Sequence, residues 1–376
     1  MADFSTLEFE TRMARAQAAM AKAGLDAILL CTEAELRYFS GFRTLFWQSP
    51  TRPWFLVLPR TGAPIAVIPE IGTELMGRTW VKDIRAWVSP DPVDDGVSLL
   101  AGVLSTYSKV GLPMGEEASL RMPLGDFYRV QEKSGVEFID CSGLIKAIRI
   151  VKSDAEIAIL RKICSVGSAA FDRAKVLFHE GQPLSEVFRR FKITLLQEGA
   201  DDVPYLVGAA AQGGYGDVIS PPSRAPLQKG DILMLDTGAC LQGYFCDFDR
   251  NFAVGFADDT AKRGHEKLWK ATEVGLQTAY AGATCADLFH AMHQALGDGL
   301  SNVGRYGHGL GIQLTEYPSI AAFDHTALQP GMVMTLEPSL TISKGKMMVH
   351  EENILITDDA PVLLTKRATP ELPVIL

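Results

Sequence analysis

Four acidic side chains and one histidine of this chain are spaced as metal ligands are. Folding Ile232–Val254 (ILMLDTGACLQGYFCDFDRNFAV) back on itself around Leu241-Gln242-Gly243 sets Asp236 opposite Asp247. The same operation on Val333–Ile356 (VMTLEPSLTISKGKMMVHEENILI) sets Glu337 opposite Glu351 across Ser343-Lys344-Gly345. Residues paired directly across a hairpin share a sheet face, with Cβ atoms roughly 5 Å apart, and like charges placed there destabilise the sheet. Two such pairs, in strands otherwise apolar, require a compensating cation. The nearby basic side chains do not answer: Lys344 and Lys346 lie at the second turn, and Arg250 is out of phase with Asp247. A metal answers, and four facing carboxylates hold two. Hard oxygen ligands suit Mn²⁺ first, then Fe²⁺, and admit Co²⁺ or Zn²⁺ when a nitrogen joins. His308, in Tyr306-Gly307-His308-Gly309-Leu310-Gly311, is that nitrogen, because glycines on both sides let a backbone approach closely and leave the imidazole unhindered. Of the other histidines, His290 and His293 fall at i, i+3 on a helical pattern and read as a solvated face. His179, His265 and His325 sit in polar or turn contexts and receive no role. His350 turns away from Glu351 by strand alternation and reads as a surface residue or a hydrogen-bond partner behind the ligand.

These residues need elements to hold them. A chain of 376 residues exceeds what one core usually fills, so two domains are expected, 1–150 and 151–376. In the first, residues 9–24 place Phe9, Met13, Ala16 and Met20 on one stripe ahead of Gly24, the pattern of a helix with its stop signal. Strands follow at 26–30, 54–58, 64–68 and 84–88, with helical segments between them. This first domain is α/β, and its acids and histidines form no cluster. In the second, Ser153 with Glu156 opens a capped helix, and another follows near 183–198. The glycine-rich stretch 207–217 lacks a phosphate loop's lysine and reads as a strand and turn. After hairpin one come helices near 258–280 and 285–299, the loop around His308, and hairpin two. Helices followed by an acid-bearing hairpin thus occur twice, and a pseudo-twofold repeat brings both hairpins to one site.

Composition narrows the class. The net charge of −9 disfavours nucleic acid and anionic membrane surfaces as partners. No apolar run reaches the ~18 residues of a membrane span. The opening MADFSTLEFETR has no signal-peptide core, so the expected compartment is the cytoplasm. Six cysteines occur singly with no CxxC pair, which argues against a disulfide framework or a zinc–cysteine site and for small core residues.

A resemblance rests on ordered motifs: Leu235-Asp236-Thr237-Gly238-Ala239; Gly243-Tyr244 through Asp247 to Arg250; Gly307-His308-Gly309-Leu310-Gly311; Gly331 through Glu337-Pro338; and Glu351-Glu352-Asn353. In this order they resemble the pita-bread metallopeptidases, the group of prolidase, aminopeptidase P, methionine aminopeptidase and creatinase. Leu36 through Phe42 and the opening helix–strand resemble, more weakly, the creatinase/prolidase N-terminal domain. The resemblance implies a creatinase-type N-terminal domain ahead of a pita-bread catalytic domain. It implies two divalent metals on Asp236, Asp247, His308, Glu337 and Glu351, water attack on a carbonyl, and a proton relay by Glu337.

The chain also departs from that group. The group carries a histidine seven residues after the metal histidine, where this chain has Thr315, and another upstream of hairpin one, near Ser220. Both help bind the scissile peptide and its tetrahedral intermediate. A hydroxyl donates one hydrogen bond but is a poor proton shuttle at neutral pH. Where the group usually has Thr two residues after the second Asp ligand, this chain has Asp249, either a further carboxylate at the metals or an acceptor behind them. The leading expectation is a dinuclear hydrolase of Xaa-Pro dipeptidase type acting on a small dipeptide-like or non-peptide amide C–N bond. The alternatives are a metal-dependent lyase or creatinase-like amidinohydrolase on a small zwitterion, and a non-catalytic binding module. Relatives with the extra domain are homodimers, and the loop 40–54 (SGFRTLFWQSPTRPW) then reaches the neighbour's site. There Arg43 or Arg52 would hold a substrate carboxylate and Trp47 would cover a cationic or apolar group. The plainer reading of those aromatics is packing.

Overall fold

The structure, a computed structural model, describes residues 4–49, 52–297 and 303–376. It divides into two compact units, Met1–Arg149 and Ile150–Leu376.

In the first unit the helix Thr6–Ala23 begins where the Ser5 side chain accepts from the Glu8 N–H, and ends at left-handed Gly24. It buries Phe9, Met13, Ala16 and Met20, the stripe its periodicity requires. The strands are β1 (Ala27–Leu30), β2 (Phe55–Pro59), β3 (Ile65–Pro69), β4 (Asp83–Trp87), β5 (Lys109–Leu112) and β6 (Glu137–Asp140), in the order β4-β3-β2-β1-β5-β6. Pairing is antiparallel through β1, β2 and β3 and parallel at β3–β4, β1–β5 and β5–β6. The loop expected over 40–54 contains one 3₁₀ turn, Leu45–Gln48. Trp47 is buried there, its ring 6.1 Å from that of Trp54, with the Arg121 guanidinium 4.7 Å from its centroid. Arg121 also donates to the carbonyls of Trp47, Ser49 and Arg52, pinning the loop to its own unit. Arg43 is exposed, and Arg52 lies half-buried over the Phe46 ring. Pro50 and Thr51 of this loop lie outside the described residues.

In the second unit the helix Asp154–Asp172 starts with a reciprocal Ser153/Glu156 cap, and Leu184–Glu198 follows. Next come β7 (Asp202–Gln212), β8 (Asp231–Leu241), β9 (Tyr244–Phe245) and β10 (Phe248–Val254). The helices Asp259–Thr278 and Cys285–Leu296 lead to β11 (His308–Gly309), β12 (Glu316–Ser319), β13 (Val333–Leu336), β14 (Ser339–Ser343), β15 (Lys346–Val349), β16 (Glu352–Leu355), β17 (Val362–Leu363) and β18 (Val374–Ile375). The residues beyond 297 expected to extend the last helix lie outside the described residues. One sheet runs β18-β10-β8-β7 with β9 on β8, another runs β12-β11-β13-β16-β17, and β14–β15 form a ribbon. One hydrophobic cluster of the second unit joins its two hairpins, with Ile232, Met234, Leu268, Leu288, Met334 and Ile354. All six cysteines are buried and none is in a disulfide.

Two histidine readings need correction. His265 and His350 are neither turn nor surface residues but are each 2 % exposed. His265 Nε2–H donates to the Thr369 carbonyl at 3.0 Å, and His350 Nδ1 lies 3.0 Å from Thr272 Oγ1. Helix Asp259–Thr278, which carries His265, packs over β14 and β15 and brings Thr272 to His350, which alternation alone does not reveal. Among the described residues no helix is long and apolar enough to cross a membrane.

Candidate metal centre

The turn of hairpin one decides which acids meet. Gln242 and Gly243 have φ of 50° and 78°, the left-handed pair of a two-residue primed turn. The hairpin therefore pivots between them. Asp236 pairs directly with Asp249 rather than with Asp247, correcting the register expected from sequence. Moving a pivot by one residue shifts partners by two, so the face is preserved. Asp247 still reaches the cluster: Asp236, Asp247 and Glu351 each offer an oxygen within 4.8 Å of the others. In hairpin two the pairs Leu336↔Glu352 and Ser339↔Val349 bracket Glu337 and Glu351, which face each other as read from sequence.

His308 closes the group. Its Nε2 lies 3.4 Å from Asp247 Oδ2 and 3.8 Å from Glu337 Oε1. Its Nδ1–H donates to the Gly309 carbonyl at 2.9 Å, so the Nε2 lone pair faces the carboxylates. The flanking glycines are sterically required. A Cβ at Gly307 would lie 2.3 Å from the Thr335 carbonyl oxygen, and one at Gly309 would lie 2.4 Å from that of Tyr317. Asn353 fixes the Asp247 backbone from both sides. Its Oδ1 accepts from the Asp247 N–H at 3.0 Å, and its Nδ2 donates to the Asp247 carbonyl.

The acids are held against their own repulsion. Burial, then the Glu337 charge, pushes the Asp236 carboxyl from 3.8 up to about 7, opposed by a hydrogen bond from Tyr205. Burial also pushes Glu337 up to about 7, with Arg305 and Glu351 opposing. Asp247 and Glu351 are driven well above the usual carboxylate range, by burial first and by neighbouring acids next. Asp236 Oδ1 and Glu351 Oε1 are buried and have no hydrogen-bond partner among the described residues. An orphaned buried acceptor carries its full desolvation cost. Converging orphaned oxygens beside an imidazole lone pair are what divalent ions satisfy, and the residues fit such ions.

Two neighbours escaped the sequence reading. Arg305 Nε stands 3.7 Å from Glu337 Oε1, a cation far from either hairpin in sequence. Tyr205, half-buried on β7, bonds Asp236. Strand β7 pairs with β8 through Val207↔Asp236, which a hairpin-only reading does not include. Of the residues at the histidine departures, Ser220 is half-exposed and its hydroxyl donates to Asp217 Oδ2 at 2.9 Å. Thr315 is half-exposed immediately before β12, whose Glu316 pairs with Gly309.

Comparisons with known proteins agree with this geometry. Residues 158–358 match the profile of metallopeptidase family M24, and residues 12–151 match the creatinase/prolidase N-terminal domain. The Xaa-Pro dipeptidase of Pyrococcus horikoshii is 26% identical over 355 residues, covering 92% of this chain and 94% of that one. A probable dipeptidase PepE of Mycobacterium bovis is 26% identical over 377 residues, covering 96% and 95%. Among solved structures, dipeptidase PepE from Mycobacterium ulcerans superposes with a TM-score of 0.86 at 25% identity, covering 99% of each chain. The prolidase from Pyrococcus horikoshii shares the fold, with a TM-score of 0.83 at 23% identity over 95% of this chain and 99% of its own.

Proposed function

The chain belongs to metallopeptidase family M24 and is a metal-dependent hydrolase with a creatinase-type N-terminal domain. From that premise we propose a dinuclear enzyme of the Xaa-Pro dipeptidase type whose substrate is a small dipeptide-like molecule or a non-peptide amide. The observation that carries it is the convergence of Asp236, Asp247 and Glu351, with orphaned oxygens on two of them, beside the Nε2 lone pair of His308. Asp236, Asp247, His308, Glu337 and Glu351 would hold two divalent ions, Mn²⁺ first among Mn²⁺, Fe²⁺, Co²⁺ and Zn²⁺. Bound there, such ions supply a Lewis acid for the scissile carbonyl and a water acidic enough to attack it.

The remaining chemistry belongs to side chains. Glu337, a quarter exposed at 26 %, is the carboxylate placed to take a proton and return it to the leaving nitrogen. Arg305 beside it opposes the upward push that burial exerts on that carboxyl. Ser220 and Thr315 stand where related peptidases carry imidazoles; a hydroxyl gives at most one hydrogen bond to an oxyanion and shuttles no proton at neutral pH, and that of Ser220 already goes to Asp217. Substrates whose leaving amine needs little assistance are favoured by this arrangement. The two units serve as domains, 1–150 a scaffold and 151–376 the catalytic body. We place the enzyme in the cytoplasm as a homodimer. Exposed Arg43 and half-buried Arg52 are the candidates for a carboxylate of substrate bound in the neighbouring chain. Trp47, already buried against Trp54 and Arg121, serves instead to hold their loop.

The test is a substrate screen of the Mn²⁺-loaded enzyme, with Xaa-Pro dipeptides compared against small non-peptide amides. Faster turnover (kcat/KM) of a non-peptide or modified amide is expected. Xaa-Pro turnover equal to or above that of every alternative would overturn the departure from peptides.

A further inference from the structure

Asp249 lies across the ladder from Asp236 and is not among the five proposed ligands. It is the direct ladder partner of Asp236, and it shares a face with Asp247 two residues earlier. It is 1 % exposed. The Asp236 charge pushes the Asp249 carboxyl up and the Asp249 charge does the same to Glu351, while a backbone hydrogen bond from Glu351 pulls Asp249 down. Its neighbour Arg250 does not bond its carboxylate. That guanidinium is taken up by the carbonyls of Asp249, Glu351 and Lys366 and by Glu352 Oε2 at 2.9 Å.

The two oxygens of Asp249 are treated differently. Oδ2 accepts from Asn251 Nδ2 at 2.7 Å. Asn251 is itself fixed, donating to the Val349 carbonyl at 2.7 Å and accepting from the Tyr215 hydroxyl at 3.1 Å. Tyr215 in turn accepts from the Val349 N–H at 2.7 Å. This buried chain orients one oxygen, the Glu351 backbone N–H also faces the carboxylate, and Oδ1 makes no close hydrogen bond among the described residues. A carboxylate clamped through one oxygen while the other stays free is how proteins hold a metal ligand. Asp236 Oδ1 and Glu351 Oε1, on the residues with which Asp249 interacts, are orphaned in the same way.

We propose that Asp249 is a further oxygen ligand of the metal centre, contributed on the side of Asp236 and Glu351, and that it biases the centre towards hard, oxygen-preferring ions. This rests on the dinuclear reading of the site. A fifth carboxylate beside a single imidazole favours Mn²⁺ over Zn²⁺, whose preferred sites are richer in nitrogen and sulfur. The chain Tyr215–Asn251 exists to aim Oδ1 and positions it without touching the ions.

Replacing Asp249 by cysteine gives a direct readout. The Asp249→Cys variant loaded with Co²⁺ should show a thiolate-to-cobalt charge-transfer band in the near ultraviolet that cobalt-loaded wild type lacks. A folded variant that binds Co²⁺ without that band overturns the proposal and leaves the dinuclear reading standing. Wild type that binds no Co²⁺ overturns both. Should the cysteine variant fail to fold, Asp249→Asn keeps shape and hydrogen bonding while removing the charge. Calorimetric titration should then show Mn²⁺ affinity at one site falling by more than the roughly 10- to 100-fold typical of an outer hydrogen-bond partner. Zn²⁺ affinity should fall less than Mn²⁺ affinity. A smaller Mn²⁺ loss, or equal losses for both ions, makes Asp249 a positioning residue and overturns its assignment as a ligand.

Discussion

Neutralising Asp236 should strengthen the metal-free protein while destroying its metal site. In the folded apo state the Asp236 carboxyl is pushed from 3.8 up to about 7, by burial and by Glu337. A group whose folded value is raised gives stability that is fully present below its unfolded value. That stability is lost as pH climbs through the folded value, here between about 4 and 7. At roughly 1.4 kcal/mol per pH unit the loss is about 4 kcal/mol above pH 7. Asp236→Asn removes it, at the cost of about 1 kcal/mol for a weakened bond from Tyr205. The net gain is about 3 kcal/mol, or on the order of 6–12 °C in Tm for a unit of this size. The assay is thermal unfolding of chelator-treated protein at pH 4.5 and pH 8.5. The variant should melt above wild type at pH 8.5 and level with or slightly below it at pH 4.5. Added Mn²⁺ should raise Tm for wild type only. A variant that melts below wild type at pH 8.5, or a gain of the same size at both pH values, refutes the opposed-carboxylate reasoning.

Asn353→Ala should cost about 2–4 kcal/mol of stability, because it strips partners from both the N–H and the carbonyl of buried Asp247. Denaturant titration together with a weaker Mn²⁺ affinity checks this, and an unchanged affinity counts against the clamp. Combining Ser220→His with Thr315→His should raise kcat/KM for Xaa-Pro dipeptides above wild type; no gain in a folded, metal-binding variant means that those positions do not limit peptide cleavage. In mixtures of an Asp236→Asn chain with an Arg43→Ala chain, activity should return on subunit exchange, since one site in each mixed dimer is intact. Absence of recovery despite demonstrated exchange would show that the active site is not shared.

Much of the site was legible because paired acids in apolar strands are costly and therefore informative. Hairpin two reads directly: Ser343-Lys344-Gly345 marks its turn, and Glu337 faces Glu351 as the ladder on either side requires. Hairpin one misleads by two residues because Gln242, a non-glycine, adopts a left-handed conformation that sequence does not announce. The constellation survives because that slip preserves the sheet face. Single-element cues such as the Ser153/Glu156 cap and the Gly24 stop are also local and hence visible. What escapes is non-local. Arg305 and Tyr205 come to the acids from outside the hairpins, and His350 is buried against the helix that carries His265. Trp47 is similar, since its burial depends on Arg121, far along the chain.

The proposed centre holds two metal ions on one set of side chains. Purified protein stripped of metal, reloaded with Mn²⁺ and freed of excess should be measured for bound ion per chain, wild type beside Asp247→Asn and Glu351→Gln. Two ions per wild-type chain are expected, and fewer than one in either folded variant. Wild type retaining no more than one ion, or folded variants that still hold two, would contradict the proposed centre.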